Sequence, residues 1–249
     1  MIKVRVIPIL TFNGFALVKT KNFTNPRMLG NPVQSAKVFN SRGVDELVFL
    51  DIMATKQKRK INLPLTKRVI DECFMPVAIG GGISTLEDIY SLLKIGADKV
   101  VIKSAAIESP LFVKEASNIF GSQCITIAID VERINNEYRI KNDFGLNINV
   151  FEFVLQIQKL GAGEIILTSV DCDGTMNGFD INLYNEVIRF CNVPVVFSGG
   201  GGSLNDFRML FQQTDCMAVG AASIFSYTQH TPLDVKRTIK SVGRLVRLN

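Results

Sequence analysis

Val77-Ala78-Ile79-Gly80-Gly81-Gly82-Ile83-Ser84 has a second version in the same chain, Val195-Val196-Phe197-Ser198-Gly199-Gly200-Gly201-Gly202-Ser203, with 119 residues separating Ser84 from Ser203 in a total of 249. Each copy passes from an apolar run of strand length through a bare-backbone turn into a stretch of helical period. Ser84 (with Glu87) and Ser203 read as the caps of the two helices. Glycine lets main-chain N–H groups press against an anion with no Cβ in the way, and a strand, glycine turn and helix start present those groups to a phosphate. Two such turns predict a ligand with a phosphate at each end. Small residues at strand ends also permit tight packing, but two clusters in register favour the phosphate reading.

The same alternation continues on both sides of these turns. Strand patterns fall at 4–10, 46–51, 77–79, 99–102, 125–130, 164–168, 194–198 and 217–220, with helical periods between them at 33–42, 65–73, 86–95, 111–119, 150–160, 181–190, 204–211 and 232–241. Strands this apolar need cover on both faces, and eight strand–helix units predict an α/β fold of the (βα)8 TIM barrel type. An open doubly wound sheet is the alternative, and it leaves the duplication unexplained. The repeat also spans 46–55 with 164–175 and 103–106 with 220–223, so the chain reads as two fused half-barrels in a single domain, 1–249.

Composition narrows the class. The chain is 47% hydrophobic yet has no apolar run near the ~20 residues that cross a bilayer. It opens on the charged strand pattern Met1-Ile2-Lys3-Val4-Arg5-Val6, read as no signal peptide. Cys73, Cys124, Cys172, Cys191 and Cys216 are scattered, as expected of reduced core thiols in a cytoplasmic protein. The net charge of +5 is spread out, and with no Trp and 4 Tyr it suits an anionic small molecule better than nucleic acid. His230 is the only histidine, which excludes histidine triads and multi-imidazole metal sites. No metal and no cofactor are expected, and no membrane.

Barrel enzymes place their chemistry at the C-terminal ends of the strands. Those positions carry Thr11, Asp51, Lys103, Asp130, Asp171 with Asp173, and Ser198. Asp130, Thr11, Lys19, Asp51 and Asp173 form the candidate catalytic set, Lys19 as a clamp on a mobile loop. The candidate phosphate donors are Gly81, Gly82, Lys103 and Ser104 in the first half. Gly174, Ser198, Gly199, Gly200, Ala222 and Ser223 supply them in the second. Subtracting 119 from Asp130 gives Thr11, so the position that symmetry would fill with a second carboxylate holds a hydroxyl that does not titrate near neutral pH.

Several phrases together resemble one family. Asp45-Glu46-Leu47-Val48-Phe49-Leu50-Asp51, Val77 to Gly82, Gly96-Ala97-Asp98-Lys99-Val100, Phe120-Gly121-Ser122-Gln123-Cys124, Ala128-Ile129-Asp130, Gly161 to Ser169 and Asp173-Gly174-Thr175 are similar, in order, to the HisF family, the cyclase subunit of imidazole glycerol phosphate synthase. The resemblance implies a (βα)8 barrel that takes ammonia from a HisH-like glutaminase, bound as a heterodimer at the N-terminal face. The ammonia passes through the core to a phosphorylated substrate at the other face. Arg5, Glu46, Lys99 and Glu164 match the family's charged gate, and Asp98 matches a glutaminase contact. Physically, charges at strand starts of a barrel persist only in closed networks, which would also serve simply to plug the floor. Val48, Ala78 and Val101 would line an apolar route above them.

The departures lie at the active site. The family has an aspartate where this chain has Thr11, an asparagine at Lys103 and a lysine at Met176, and the segment after the fifth strand is shorter here. A lost acid–base group costs ~10²–10⁴-fold in rate. The chain therefore resembles more closely the HisF-like paralogues of surface-polysaccharide pathways, which with a glutaminase and a third, sugar-modifying protein make acetamidino sugars. The expected activity is that of a HisF-type synthase or cyclase (lyase) subunit of a glutamine amidotransferase. An authentic histidine-biosynthesis cyclase and a non-catalytic anion-binding scaffold that activates its glutaminase are the alternatives.

Overall fold

The computed structural model describes residues 2–248. In its first half the chain runs β1 (Arg5–Phe12), β2 (Leu17–Lys21), β3 (Thr24–Gly30), α1 (Pro32–Ser41), β4 (Leu47–Asp51), α2 (Leu63–Asp71), β5 (Val77–Gly80), α3 (Leu86–Lys94), β6 (Lys99–Ile102), α4 (Ser104–Glu108) and α5 (Leu111–Phe120). The second half runs β7 (Ile125–Ile134), β8 (Glu137–Ile140), α6 (Val150–Lys159), β9 (Glu164–Ser169), α7 (Ile181–Val187), β10 (Val195–Ser198), α8 (Leu204–Gln213), β11 (Ala218–Ala221), α9 (Ser223–Tyr227) and α10 (Pro232–Ser241). Every strand and helix expected from periodicity is present.

Strands β1, β4, β5, β6, β7, β9, β10 and β11 pair in parallel in that order, and β11 returns to β1 through Arg5–Ala218 to Pro8–Ala221, closing the barrel. The open-sheet alternative is thereby excluded. The strands alternate strictly. Outward residues such as Val6, Phe49, Ile79, Ile127 and Leu167 pack beneath the helices, while Ile7, Ile9, Val48, Ala78, Val101, Ala128, Ile166, Val196 and Ala218 fill the interior as a separate cluster.

Two hairpins were not expected. β2 and β3 extend β1, and β8 pairs with the end of β7. Both turns place two consecutive residues at positive φ, Asn22 (49°) and Phe23 (62°) in one, Asn135 (49°) and Asn136 (64°) in the other. That geometry matches the right-handed twist of a two-stranded ribbon. Strand β3 is almost wholly exposed, so it leaves no apolar period for a sequence reading to detect.

The glycine turns superpose at an offset of 118, one less than the phrases suggest. Gly81 (φ 126°) and Gly199 (φ 99°) are equivalent, and a Cβ on either would stand 2.5 Å from a backbone oxygen, that of Asp51 or of Ser169. The caps follow the same shift. Thr85, and not Ser84, caps α3, in a capping box with Asp88 and not Glu87; its counterpart is Ser203 with Asp206 on α8. Ser84 instead donates its amide to the Asp88 carboxylate, 3.0 Å away. The cysteines also differ from expectation. All five are free thiols, but only Cys216 is buried, where loss of water pushes its thiol up to about 12. Among the described residues no helix is long and apolar enough to cross a membrane.

Candidate active site at the barrel rim

At the C-terminal ends of the strands lies a cavity of about 580 Å³. Thr11, Lys19, Asp51, Asp130 and Asp173 all line it. So do the first-half cradle residues Gly81, Gly82, Lys103 and Ser104, and the second-half residues Gly174, Ser198, Gly199, Gly200, Ala222 and Ser223. Residues spread over more than 200 positions of sequence are thus drawn to one end, because every strand of a parallel barrel ends on the same face. Asp171 does not join them; its carboxylate accepts from the Arg133 amide at 2.8 Å and holds the β7–β8 hairpin.

Of the four carboxylates that line the cavity, Asp143 pairs loosely with Lys56, at 3.4 Å, and Asp51, Asp173 and Asp130 are each matched closely by one cation. Arg59 donates to both oxygens of Asp51, at 2.5 and 2.8 Å. Lys19 does the same to Asp173, at 2.8 and 2.9 Å, with both side chains buried. Lys19 therefore lies on a strand, β2, and not on a mobile loop. The docking is fixed by Asn22, whose side chain donates to the carbonyls of Val170 and Asp171 and whose amide donates to that of Asp173. Burial raises the Asp173 carboxyl above its ordinary value; Lys19 opposes this and the nearby charge of Asp130 adds to it. Lys103 approaches one oxygen of Asp130 to 2.5 Å. The Thr11 hydroxyl donates to the carbonyl of Val18 on β2.

The two glycine cradles share a backbone shape and differ in charge. Lys103 precedes α4 and Ala222 precedes α9, with similar dihedral angles (−124°, −76° and −137°, −58°), so Ala222 stands where the first half has a cation.

At the opposite end the four expected charges form a closed ring. Arg5 reaches Glu46 at 2.7 Å and Glu164 at 2.5 Å; Lys99 reaches Glu46 at 2.9 Å and Glu164 at 2.8 Å. The carboxylates are buried, and the Arg5 and Lys99 side chains keep 28% and 19% of their exposure. Burial disfavours the charge on Arg5, but Glu164 and Glu46 outweigh it and raise its affinity for the proton. Asp98 is exposed on this floor, one oxygen accepting from the Val77 amide at 2.8 Å. Val48, Ala78 and Val101 lie in the apolar interior above the ring, as expected.

Two features escaped the sequence reading. Arg59 carries no motif, and only the turn after β4 brings it to Asp51. Thr126 is fully buried, its hydroxyl has no partner, and it shares the inward face of β7 with Ala128 and Asp130. Its position in a strand read as uniformly apolar hid it.

A model of the family described as histidine biosynthesis protein matches residues 5–232. The imidazole glycerol phosphate synthase subunit HisF of Bacillus cereus strain AH187 is 41% identical over 252 residues, covering 100% of both chains. That of strain Q1 gives the same identity and coverage. The chain belongs to the HisF family. Its type is accordingly that of an imidazole glycerol phosphate synthase cyclase-like subunit.

Proposed function

We propose that this chain is the ammonia-accepting synthase subunit of a glutamine amidotransferase, partnered as a heterodimer with a HisH-like glutaminase at the floor. It delivers NH3 through the apolar interior to a phosphorylated small molecule held between the two cradles, with Asp130 as the proton-transfer group. The reading places the whole chain in one barrel unit working in the cytoplasm. The paralogous branch that makes acetamidino sugars for surface polysaccharides, with a third protein handling the sugar, is the preferred setting.

One observation supports this preference: the four floor charges form a closed ring, while at position 11, where the family resemblance implies a second acid–base group, Thr11 spends its hydroxyl on Val18. Ammonia handling without paired proton transfer fits an acceptor chemistry other than ring closure. Authentic cyclase activity is the second reading, favoured by 41% identity along the full length of a HisF chain. Ammonia-dependent turnover of the histidine-pathway substrate by the purified chain separates the two. The expected rate lies ~10²–10⁴-fold under that of a two-aspartate cyclase, and a rate within about tenfold of one rejects the paralogue reading.

A further inference from the structure

Asp130 is held in an ion pair by Lys103, and the geometry of that pair indicates how it is released. The closest approach of the Lys103 ammonium to Asp130 is 2.5 Å, and the lysine side chain keeps 29% of its exposure. Lys19, by contrast, donates to both oxygens of Asp173 and is buried. The Lys103 ammonium also lies 5.9 Å from the centre of the Phe23 ring, at the tip of the β2–β3 hairpin, so a second favourable environment is within reach of its four-carbon stem. Its attachment to Asp130 is therefore an ion pair whose cation is still part-exposed. A phosphate, with more charge and three acceptor oxygens, is the stronger partner.

We propose that Lys103 switches partners: an anion entering the first-half cradle beside Gly81, Gly82 and Ser104 takes the ammonium from Asp130 and leaves that carboxylate uncompensated inside the cavity. The proposal rests on the cradle reading above and adds a coupling to it, making proton transfer conditional on a seated phosphoryl group. The second half has no such device, since Ala222 stands at the equivalent place. The two ends of the ligand are then unequal, and only the end over β6 arms the site.

Inorganic phosphate, titrated calorimetrically at low ionic strength, is the probe, applied to the wild-type chain, Lys103→Met, Asp130→Asn and the double variant. Removing a carboxylate should tighten anion binding, because phosphate no longer competes for the lysine. Asp130→Asn is expected to gain about fivefold, the cost of giving up one part-exposed ion pair, while Lys103→Met loses about as much. In the Lys103→Met background, Asp130→Asn should shift affinity less than about twofold. Lys103→Gln repeats the cycle with a polar side chain should the methionine variant fold poorly. An equal gain with and without the lysine, or no gain at all, overturns the switch and leaves the cradle standing. Absence of saturable phosphate binding to the wild-type chain overturns the cradle reading too.

Discussion

At position 11 a neutral hydroxyl side chain lines the cavity. A carboxylate there would face the cavity as an ionisable group; threonine turns its hydroxyl to the carbonyl of Val18 and ties the end of β1 to β2. Thr11→Asp exchanges one neutral hydrogen bond, worth about 1 kcal/mol, for a titratable group. If the missing carboxylate limits the rate, this variant raises residual ammonia-dependent cyclase turnover by at least about tenfold, followed as product formation with ammonium salts. An unchanged rate assigns the loss to the Lys103–Asp130 pair instead.

Helix α3 and its half-barrel twin α8 show how a cradle is held rigid. In both, the capping-box aspartate takes amides from the turn: Asp88 those of Ser84 and Thr85, Asp206 those of Gly202 and Ser203. Burial works against ionising Asp88, yet Lys60 and these amides outweigh it and hold the carboxyl below its ordinary value. A carboxyl lowered by folding stabilises above its unfolded pKa of about 4 and loses that contribution as pH falls through the folded value. Asp88→Ala should therefore cost about 1 kcal/mol at pH 7, with the gap to wild type closing in acid, as urea melts at both pH values would reveal. The capping residue itself was misplaced by one in the sequence because Ser84 and Thr85 are both good caps. Only the 118-residue structural offset, set by Gly81 against Asp51 and Gly199 against Ser169, decides between them.

Closing eight strands into a cylinder gathers Arg5, Glu46, Lys99 and Glu164 into one ring, in which every charge has two opposite neighbours. Glu164→Gln leaves two cations sharing one anion. Because both cations are part-exposed, the expected loss is about 2 kcal/mol, short of the ~3–5 kcal/mol for a fully buried pair, read from the shift of the urea midpoint at constant slope. An unshifted midpoint would mean that water already screens the ring. The apolar alternation and the glycine turns were sufficient to predict eight strands, their order and the face on which they end, since burial on both sides of a parallel strand is written into every residue of it. The β2–β3 and β7–β8 hairpins were not legible, because exposed ribbons are fixed by turn dihedrals at Asn22, Phe23, Asn135 and Asn136 and by docking onto the rim. Likewise the identities of Asp51, Asp130 and Asp173 announced candidate chemistry, but which cation neutralises each, Arg59, Lys103 or Lys19, depends on distances across the closed barrel. Pattern along a chain encodes which groups face inward; the strength of a charge pair depends on separation and water, and those exist only once the ends of distant strands share one cavity.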